Sequence, residues 1–555
     1  MPRDDHIDKP YLPNRKDFHL EKGTIVKSLM KKVFAAAAAI ATVFGLAATT
    51  VATANAADNA TLTVSTTDAK FAGKTVNAYK MFSATVSGDG KAVSYTLTDE
   101  WKPFFKNSTA SGLTGATDAN VNDKANEYVS SLTGKEKDLV AFAAKASNWA
   151  QKNNITAATT TVSTDATDGK YTATFTGLDY GYYVVAVPGA TLANASGQYA
   201  TLVSVDSTNV TANIKGDLPT VDKKVQVGGT GKDATDAKIG DTLTFTLTST
   251  IPDMSAYDTY TFNFKDTLSQ GLTFGQVTSV TVDGVTDPLT VNTDYTVTTP
   301  TTSDNTLTVS MKDFKKQQAN AGKTITVTYT ATLNKDAVVG GHGNTNSATI
   351  QYSNNPSSGG TGESEPSKVR VFTYGFTVDK YTGDEYDDDA TRLAGAEFTL
   401  APKNGTAMSF VQVDAGSATA NAVYRVAKAG ETDTTTTITT PANGKVVFQG
   451  LENGEYTLTE TKAPAGYNKL ASALGVKVDG KNDGTDTTNA TVTITYDNDN
   501  GSDYDKTASN GVIPVQNKSG VVLPGTGGMG TIAFTVIGVL VIALGVAWTL
   551  KRKNA

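Results

Sequence analysis

Thr242-Leu243-Thr244-Phe245-Thr246-Leu247 alternates a β-branched polar residue with an apolar one. The pattern returns in Thr324-Ile325-Thr326-Val327-Thr328-Tyr329 and in Val492-Thr493-Ile494-Thr495-Tyr496. A period of two sends every apolar side chain to one face of a strand. Thr, Val, Ile and Tyr suit a pleated, half-buried surface. Clusters of Asp, Gly and Asn separate such runs as turns do. The chain therefore reads as mainly β, in tandem immunoglobulin-like sandwiches. One stretch departs from this. Between Lys135 and Lys152, Leu139, Phe142, Ala143 and Trp149 recur at helical spacing, with Thr133 as a candidate cap. This predicts one helical insertion in the first domain, its stripe packed in a core.

Composition removes several function classes. The 555 residues include no Cys, so no disulfide staples the fold and no thiol acts as nucleophile or ligand. Only three His occur: His6, His19 and His342, the last in the loop Gly340-Gly341-His342-Gly343. Serine-protease and zinc-hydrolase chemistry lacks its parts, and the sequence calls for no cofactor and no metal. A formal net charge of −7 argues against a nucleic-acid partner.

Both ends carry handling signals. Met30-Lys31-Lys32, an Ala-rich apolar stretch from Val33 to Val51, and Ala54-Asn55-Ala56 form the charged, apolar and small-x-small parts of a secretory signal peptide. The 29 residues before Met30 are polar, so either Met30 is the true start or the signal is unusually long. Near the other end, Leu523-Pro524-Gly525-Thr526-Gly527 precedes an uncharged apolar run from Thr531 to Leu550 and then Lys551-Arg552-Lys553. Twenty apolar residues cross a ~30 Å hydrocarbon core as a helix, and the basic tail holds that end in the cytoplasm. The pentapeptide resembles the LPxTG sorting signal of Gram-positive surface proteins. The resemblance implies cleavage by a sortase between Thr526 and Gly527, removal of the transmembrane helix, and transfer of the Thr526 carbonyl to an amine. It places the mature chain, from about Ala57 to Thr526, at the cell wall.

Linker-like breaks at Lys215-Gly216-Asp217-Leu218-Pro219 and from Ser357 to Ser367 suggest three domains, at 57–215, 216–368 and 369–520, followed by the sorting region 521–555. In the third, Tyr456-Thr457-Leu458-Thr459-Glu460-Thr461-Lys462-Ala463-Pro464-Ala465-Gly466-Tyr467 resembles the YxLxExxAPxGY "E box" of Gram-positive pilins and CnaB-like domains. Phe376-Thr377-Val378-Asp379-Lys380 and Leu393 to Phe398 resemble the first two strands of that domain, and Ile513-Pro514-Val515-Gln516-Asn517 the last. Alternation puts Lys380 on the face of Phe376 and Val378, in the core. Burial disfavours the ammonium and leaves a nucleophilic amine. The resemblance implies a spontaneous isopeptide bond from Lys380 to Asn517, promoted by Glu460, with loss of ammonia.

The second domain repeats this with other residues. Val221-Asp222-Lys223 echoes Val378-Asp379-Lys380, and Asp266-Thr267-Leu268-Ser269-Gln270-Gly271-Leu272 resembles the DxLxxGL segment of pilin middle domains. The segment from Gly343 to Pro356 resembles their closing strand. The resemblance implies a bond from Lys223 to Asn346 with Asp266 as proton donor, Asn346 pairing beside Lys223. Lys224 and Asn344 are the register alternatives, and Lys223 shares a face with Val221 and Val225.

Pilin shafts also use an acceptor lysine at the end of their first domain, in a YPK motif five residues after a Val. Here Val210 and Lys215 keep that spacing, with Asn213-Ile214 in place of Tyr-Pro. The overall resemblance is to the major (shaft) subunit of a sortase-assembled pilus, which mediates adhesion. It implies as partners a pilin-polymerising and a housekeeping sortase, other copies of the chain, tip and base pilins, and peptidoglycan. It implies no enzymatic activity beyond self-crosslinking. A monomeric wall-anchored adhesin using the same domains as a stalk is the alternative. It would need no acceptor lysine.

Overall fold

The computed structural model describes residues 59–87, 92–191, 198–356, 359–387, 390–481, 490–498 and 503–520, with single positions and short pieces between 539 and 549. The signal peptide with Met30, the pentapeptide Leu523–Gly527 and the tail Lys551–Lys553 lie outside the described residues. Within 531–550 the described positions are helical. Among the described residues no helix is long and apolar enough to cross a membrane.

The fold is mainly β. The first region sets a three-stranded sheet (Tyr171–Leu178, Ala60–Thr66, Asn209–Asn213) against a five-stranded one built on Thr75–Val86, Gly181–Thr191 and Gln198–Val205. Tyr182 to Val187 is buried at every position. Tyr183, Val185 and Val187 face the three-stranded sheet, whereas Tyr182, Val184 and Ala186 face the helices. A strand covered on both faces reads as a continuous apolar run. The helical insertion is larger than the single helix predicted. Glu136–Lys152 is joined by Lys102–Lys106, Ser108–Ser111 and Val121–Ser131. The short ones escaped the periodicity because a stripe needs about three turns to declare itself. Lys135, not Thr133, stands at the N-cap position of the long helix. Phe142 and Ala143 are buried, with Leu139 and Trp149 packed beside them, so the stripe is core.

The middle sandwich faces a five-stranded sheet (Thr230–Lys232, Asp222–Val227, Thr242–Thr250, Thr324–Leu333, Leu272–Val282) with a seven-stranded one. The latter centres on Ser367–Phe372, Asn344–Ser353, Phe262–Leu268 and Thr306–Met311. Alternation is unbroken along Thr324–Leu333, where Ile325, Val327, Tyr329, Ala331 and Leu333 are all fully buried. Two expected linkers are structured. Thr361–Glu363 folds back onto Asn344–Ser353, and Ser367–Phe372, which runs across the expected boundary at 368, pairs with that strand too. Asp217 exchanges both backbone hydrogen bonds with Thr191, tying the 215–219 segment to the first region. The last sandwich packs a sheet built on Tyr374–Thr382, Lys445–Leu451 and Val512–Gln516 against one built on Glu397–Pro402, Gly454–Lys462 and Leu474–Lys481.

Gly480 sits where the backbone meets the ring of fully buried Tyr374, and a Cβ there would overlap that ring. Gly480→Ala is expected to destabilise the last sandwich by about 1–3 kcal/mol, the usual cost of overpacking. A lowered melting temperature for that sandwich in calorimetry checks this; an unchanged one contradicts it.

Candidate functional site: two buried lysine clusters

The strand Asp222–Val227 alternates outward and inward residues, and Lys223 takes an inward place between Val221 and Val225. It is fully buried. Its register alternative, Lys224, lies at the surface and pairs with Asp222 and Asp233. Lys223 lies opposite Leu247 and points into the space between the sheets, where its Nζ stands 5.2 Å from the Phe245 ring centre and 5.1 Å from that of Tyr329. Those two rings are stacked, at 5.3 Å.

From the facing sheet come Asp266 and Asn346. Their strands pair antiparallel, with Leu268 opposite Asn346 and Ala348 opposite Asp266. The two residues are therefore diagonal neighbours on one face. Both are fully buried. Asn346 does not pair beside Lys223, as the sequence suggested; it faces it across the sandwich. Asn344 is also buried, but its amide is spent on Val338 and Val371 backbone.

One residue that sequence reasoning missed joins the set. The Tyr329 hydroxyl accepts from Lys223 Nζ at 2.8 Å and from Asn346 Nδ2 at 2.6 Å, and donates to Asp266 Oδ2 at 2.7 Å. Lys223 Nζ also donates directly to Asp266 Oδ2. Asp266 Oδ1 and Asn346 Oδ1 accept nothing. Alternation would have placed Tyr329 inward, but nothing in its own strand marks a role for its hydroxyl.

In the last sandwich the same groups are dealt differently between sheets. Tyr374–Thr382 runs parallel to Val512–Gln516, with Lys380 opposite Val515. Lys380 and Asn517 thus lie on adjacent strands of one sheet, the Asn517 N–H donating to Tyr381 O at 3.0 Å. Glu460 arrives from the facing sheet. Lys380 is fully buried, Asn517 1% and Glu460 2% exposed. Lys380 Nζ is 3.5 Å from Glu460 Oε1 and donates to Val515 O at 3.1 Å. Asn517 Nδ2 donates to Glu460 Oε2 at 3.1 Å and to Asn468 O at 3.0 Å, and the Leu470 N–H donates to Glu460 Oε2 at 2.7 Å. Glu460 Oε1 and Asn517 Oδ1 accept no hydrogen bond. A cleft of about 550 Å³, lined by Asn517, Asn468, Leu470 and Tyr496, lies beside this cluster on the Asn517 side.

The electrostatics agree between the clusters. Burial pushes the Lys223 amine down to about 8, although Asp266 opposes it. Burial does the same to Lys380, down to about 8, against the pull of Glu460. Burial raises the Tyr329 hydroxyl well above its ordinary value, with the Asp266 carboxylate adding to this, so Tyr329 stays protonated. In each cluster one carboxyl oxygen and the asparagine oxygen are buried acceptors without a donor. An amine depressed by burial, an amide carbonyl and a carboxyl group able to pass a proton are the parts of an acyl transfer.

Among the described residues before Lys215, no lysine is buried. Lys215 itself is exposed, just past the strand Asn209–Asn213. Its neighbour Gly216 lies against Tyr199, where a Cβ would come within 2.5 Å of the ring. That contact and the Thr191–Asp217 bridge fix the backbone on which Lys215 stands. His342 is exposed, in its glycine loop.

Comparison with known proteins bears on three segments. Residues 239–356 match a Gram-positive pilin backbone subunit 2, Cna-B-like domain. Residues 379–493 match a prealbumin-like fold domain, and residues 515–555 an LPXTG cell wall anchor motif. The trypsin-resistant surface T6 protein of Streptococcus pyogenes serotype M6 is 26% identical over 277 residues, 46% of this chain and 45% of the relative. The chain thus spans less than half the length of that curated relative. Similar solved structures include the T6 backbone pilin of the same organism (18% identity, TM-score 0.44, 84% of this chain and 100% of that one). Another is the pilus 2b backbone protein of group B streptococcus (26% identity, TM-score 0.36, 55% and 99%). A third is the major pilin SpaD of Corynebacterium diphtheriae (19% identity, TM-score 0.37, 85% and 100%). The chain therefore carries segments that match pilin-backbone and prealbumin-like domains, followed by a cell wall anchor motif that makes it a wall-anchored surface protein.

The depressed Lys380 has a measurable consequence. With Asn517→Ala the amine has no amide to meet and titrates freely. Between about pH 8 and its unfolded value of about 10.4, the unfolded chain binds a proton that the folded one does not. Stability should therefore rise with pH across that window, by up to a few kcal/mol, and be flat below it. Melting of Asn517→Ala from pH 7 to 10.5 checks the sign; a fall across the window contradicts a buried, neutral Lys380.

Proposed function

We propose that this chain is the shaft subunit of a covalently polymerised pilus that mediates adhesion. Thr526 of one copy is joined by a pilin-polymerising sortase to Lys215 of the next. A housekeeping sortase fixes the base of the fibre to peptidoglycan, and tip and base pilins complete it. The chain is a sortase substrate and not an enzyme. The observation that carries the reading is the exposed Lys215, held on a fixed backbone at the end of the first domain of a chain with pilin-backbone domains and a wall anchor. A monomeric adhesin with a stalk of the same domains has no use for such a lysine.

Within each subunit, Lys223 bonds to Asn346 and Lys380 to Asn517. In the last sandwich the neutral Lys380 amine attacks Asn517 Cγ while protonated Glu460 polarises the carbonyl, and one ammonia leaves by the adjoining cleft. The partners are 123 and 137 positions apart. Closing such loops lowers the entropy of the unfolded chain by the equivalent of roughly 4–5 kcal/mol each, by the chain-entropy treatment of disulfides. An amide crosslink also resists reduction. This gives a cysteine-free external fibre its staples.

Wall extracts boiled in detergent should show a ladder of high-mass species reacting with antibody to this chain. Lys215→Ala should reach the surface yet stay monomeric. A ladder persisting in Lys215→Ala overturns the acceptor, and no ladder in the parent strain favours the monomeric adhesin. Intact mass should fall short of the sequence by two ammonias, and Glu460→Ala should restore one. Full mass in the unsubstituted chain would remove both crosslinks.

A further inference from the structure

The two clusters differ in how the acid meets the amide. Glu460 touches Asn517 Nδ2 directly, at 3.1 Å. Asp266 is one methylene shorter, and its carboxyl reaches Asn346 only through the Tyr329 hydroxyl, which lies 2.7 Å from one and 2.6 Å from the other. A phenol has one proton to donate and two lone pairs. All three are committed here: accepting from Lys223 and Asn346, donating to Asp266. The hydroxyl is buried with the pair, so no water competes for these positions.

We propose that Tyr329 is a catalytic proton relay in the middle domain, carrying the proton of Asp266 to the departing nitrogen of Asn346. This rests on the Lys223–Asn346 crosslink proposed above. Lys223 ammonium gives one proton to Asp266 Oδ2, leaving a neutral amine and a neutral acid. The amine lone pair attacks Asn346 Cγ, and the carbonyl pair moves onto Oδ1. Tyr329 passes its proton to Nδ2 and takes one from Asp266 Oδ2 in the same motion. The attacking nitrogen, now carrying an excess proton, returns it to the Asp266 carboxylate. The Oδ1 pair re-forms the carbonyl, the Cγ–Nδ2 bond breaks and ammonia leaves. The products are a secondary amide, one ammonia, an intact Tyr329 and a protonated Asp266. The ammonium–carboxylate pair was neutral at the start and the products are neutral. The last domain needs no such relay because its longer acid touches both nitrogens' surroundings itself.

Tyr329→Phe removes only the hydroxyl and keeps the ring that stacks on Phe245. Measured on the full chain, the last domain serves as an internal control. The unsubstituted protein should lose two ammonias and yield a branched tryptic peptide joining the Lys223 and Asn346 segments. Tyr329→Phe should lose one, with the middle crosslink slowed about 100-fold or more, the range of general acid catalysis. Combining it with Asp266→Glu should restore the branch, because the longer acid then reaches Nδ2 through the space the hydroxyl vacates. Crosslinking of Tyr329→Phe at the parent rate overturns the relay, as does a double variant left as unlinked as Tyr329→Phe. Absence of the branch in the unsubstituted chain overturns the crosslink itself, a separate failure.

Discussion

A lysine amine held without water between two β-sheets is the constraint around which both later sandwiches are organised. A cation in that space loses its hydration, and the loss exceeds what one carboxylate returns, so the amine moves towards its neutral form. Lys223 and Lys380 show this despite acidic neighbours. Everything else in each cluster answers to that condition. The carboxyl must lie close enough to take the proton, the asparagine must present its carbonyl, and the surrounding aromatic and aliphatic side chains must keep water out. A surface lysine with the same neighbours would form an ion pair of little consequence.

The two domains meet the condition with opposite assignments of groups to sheets. In the middle sandwich the asparagine and acid share a sheet and the lysine faces them. In the last, lysine and asparagine are on neighbouring parallel strands and the acid faces them. A covalent link in the first arrangement would stitch one sheet to the other. In the second it would lock the first strand of a sheet to its closing strand. The side chain that must span the interior also differs: a long Glu in one case, a short Asp extended by a tyrosine hydroxyl in the other. Acid length and sheet assignment are thus coupled.

Much of this was legible in the chain. Period-two alternation put Lys380 with Phe376 and Val378, and Lys223 with Val221 and Val225, and burial follows those faces. Alternation says which face a residue occupies, but not which strand lies across the sandwich. Asn346 was therefore expected beside Lys223 when it stands opposite. The same limit hid Tyr329, whose partners come from three strands distant in sequence. Length limited the helices: Glu136–Lys152 showed its stripe, whereas Lys102–Lys106 and Ser108–Ser111 are too short to have one. The Gly- and Ser-rich segment after Ser357 read as a linker because its strand Thr361–Glu363 is three exposed or half-exposed residues with no apolar face to declare.

Lys215 stands in contrast to both buried lysines. It is the same residue type as Lys223 and Lys380, with the opposite surroundings. A buried lysine finds a fixed carbonyl and a fixed acid and can react without help, once, as its domain folds. At the surface water keeps an amine charged, so a bond to it requires an enzyme that brings both an activated acyl group and the means to accept a proton. With the bonds proposed above, burial would separate two amide-forming chemistries in one chain. It would confine the spontaneous one to the interior of the subunit, and leave at the surface an amine whose reaction a sortase could time.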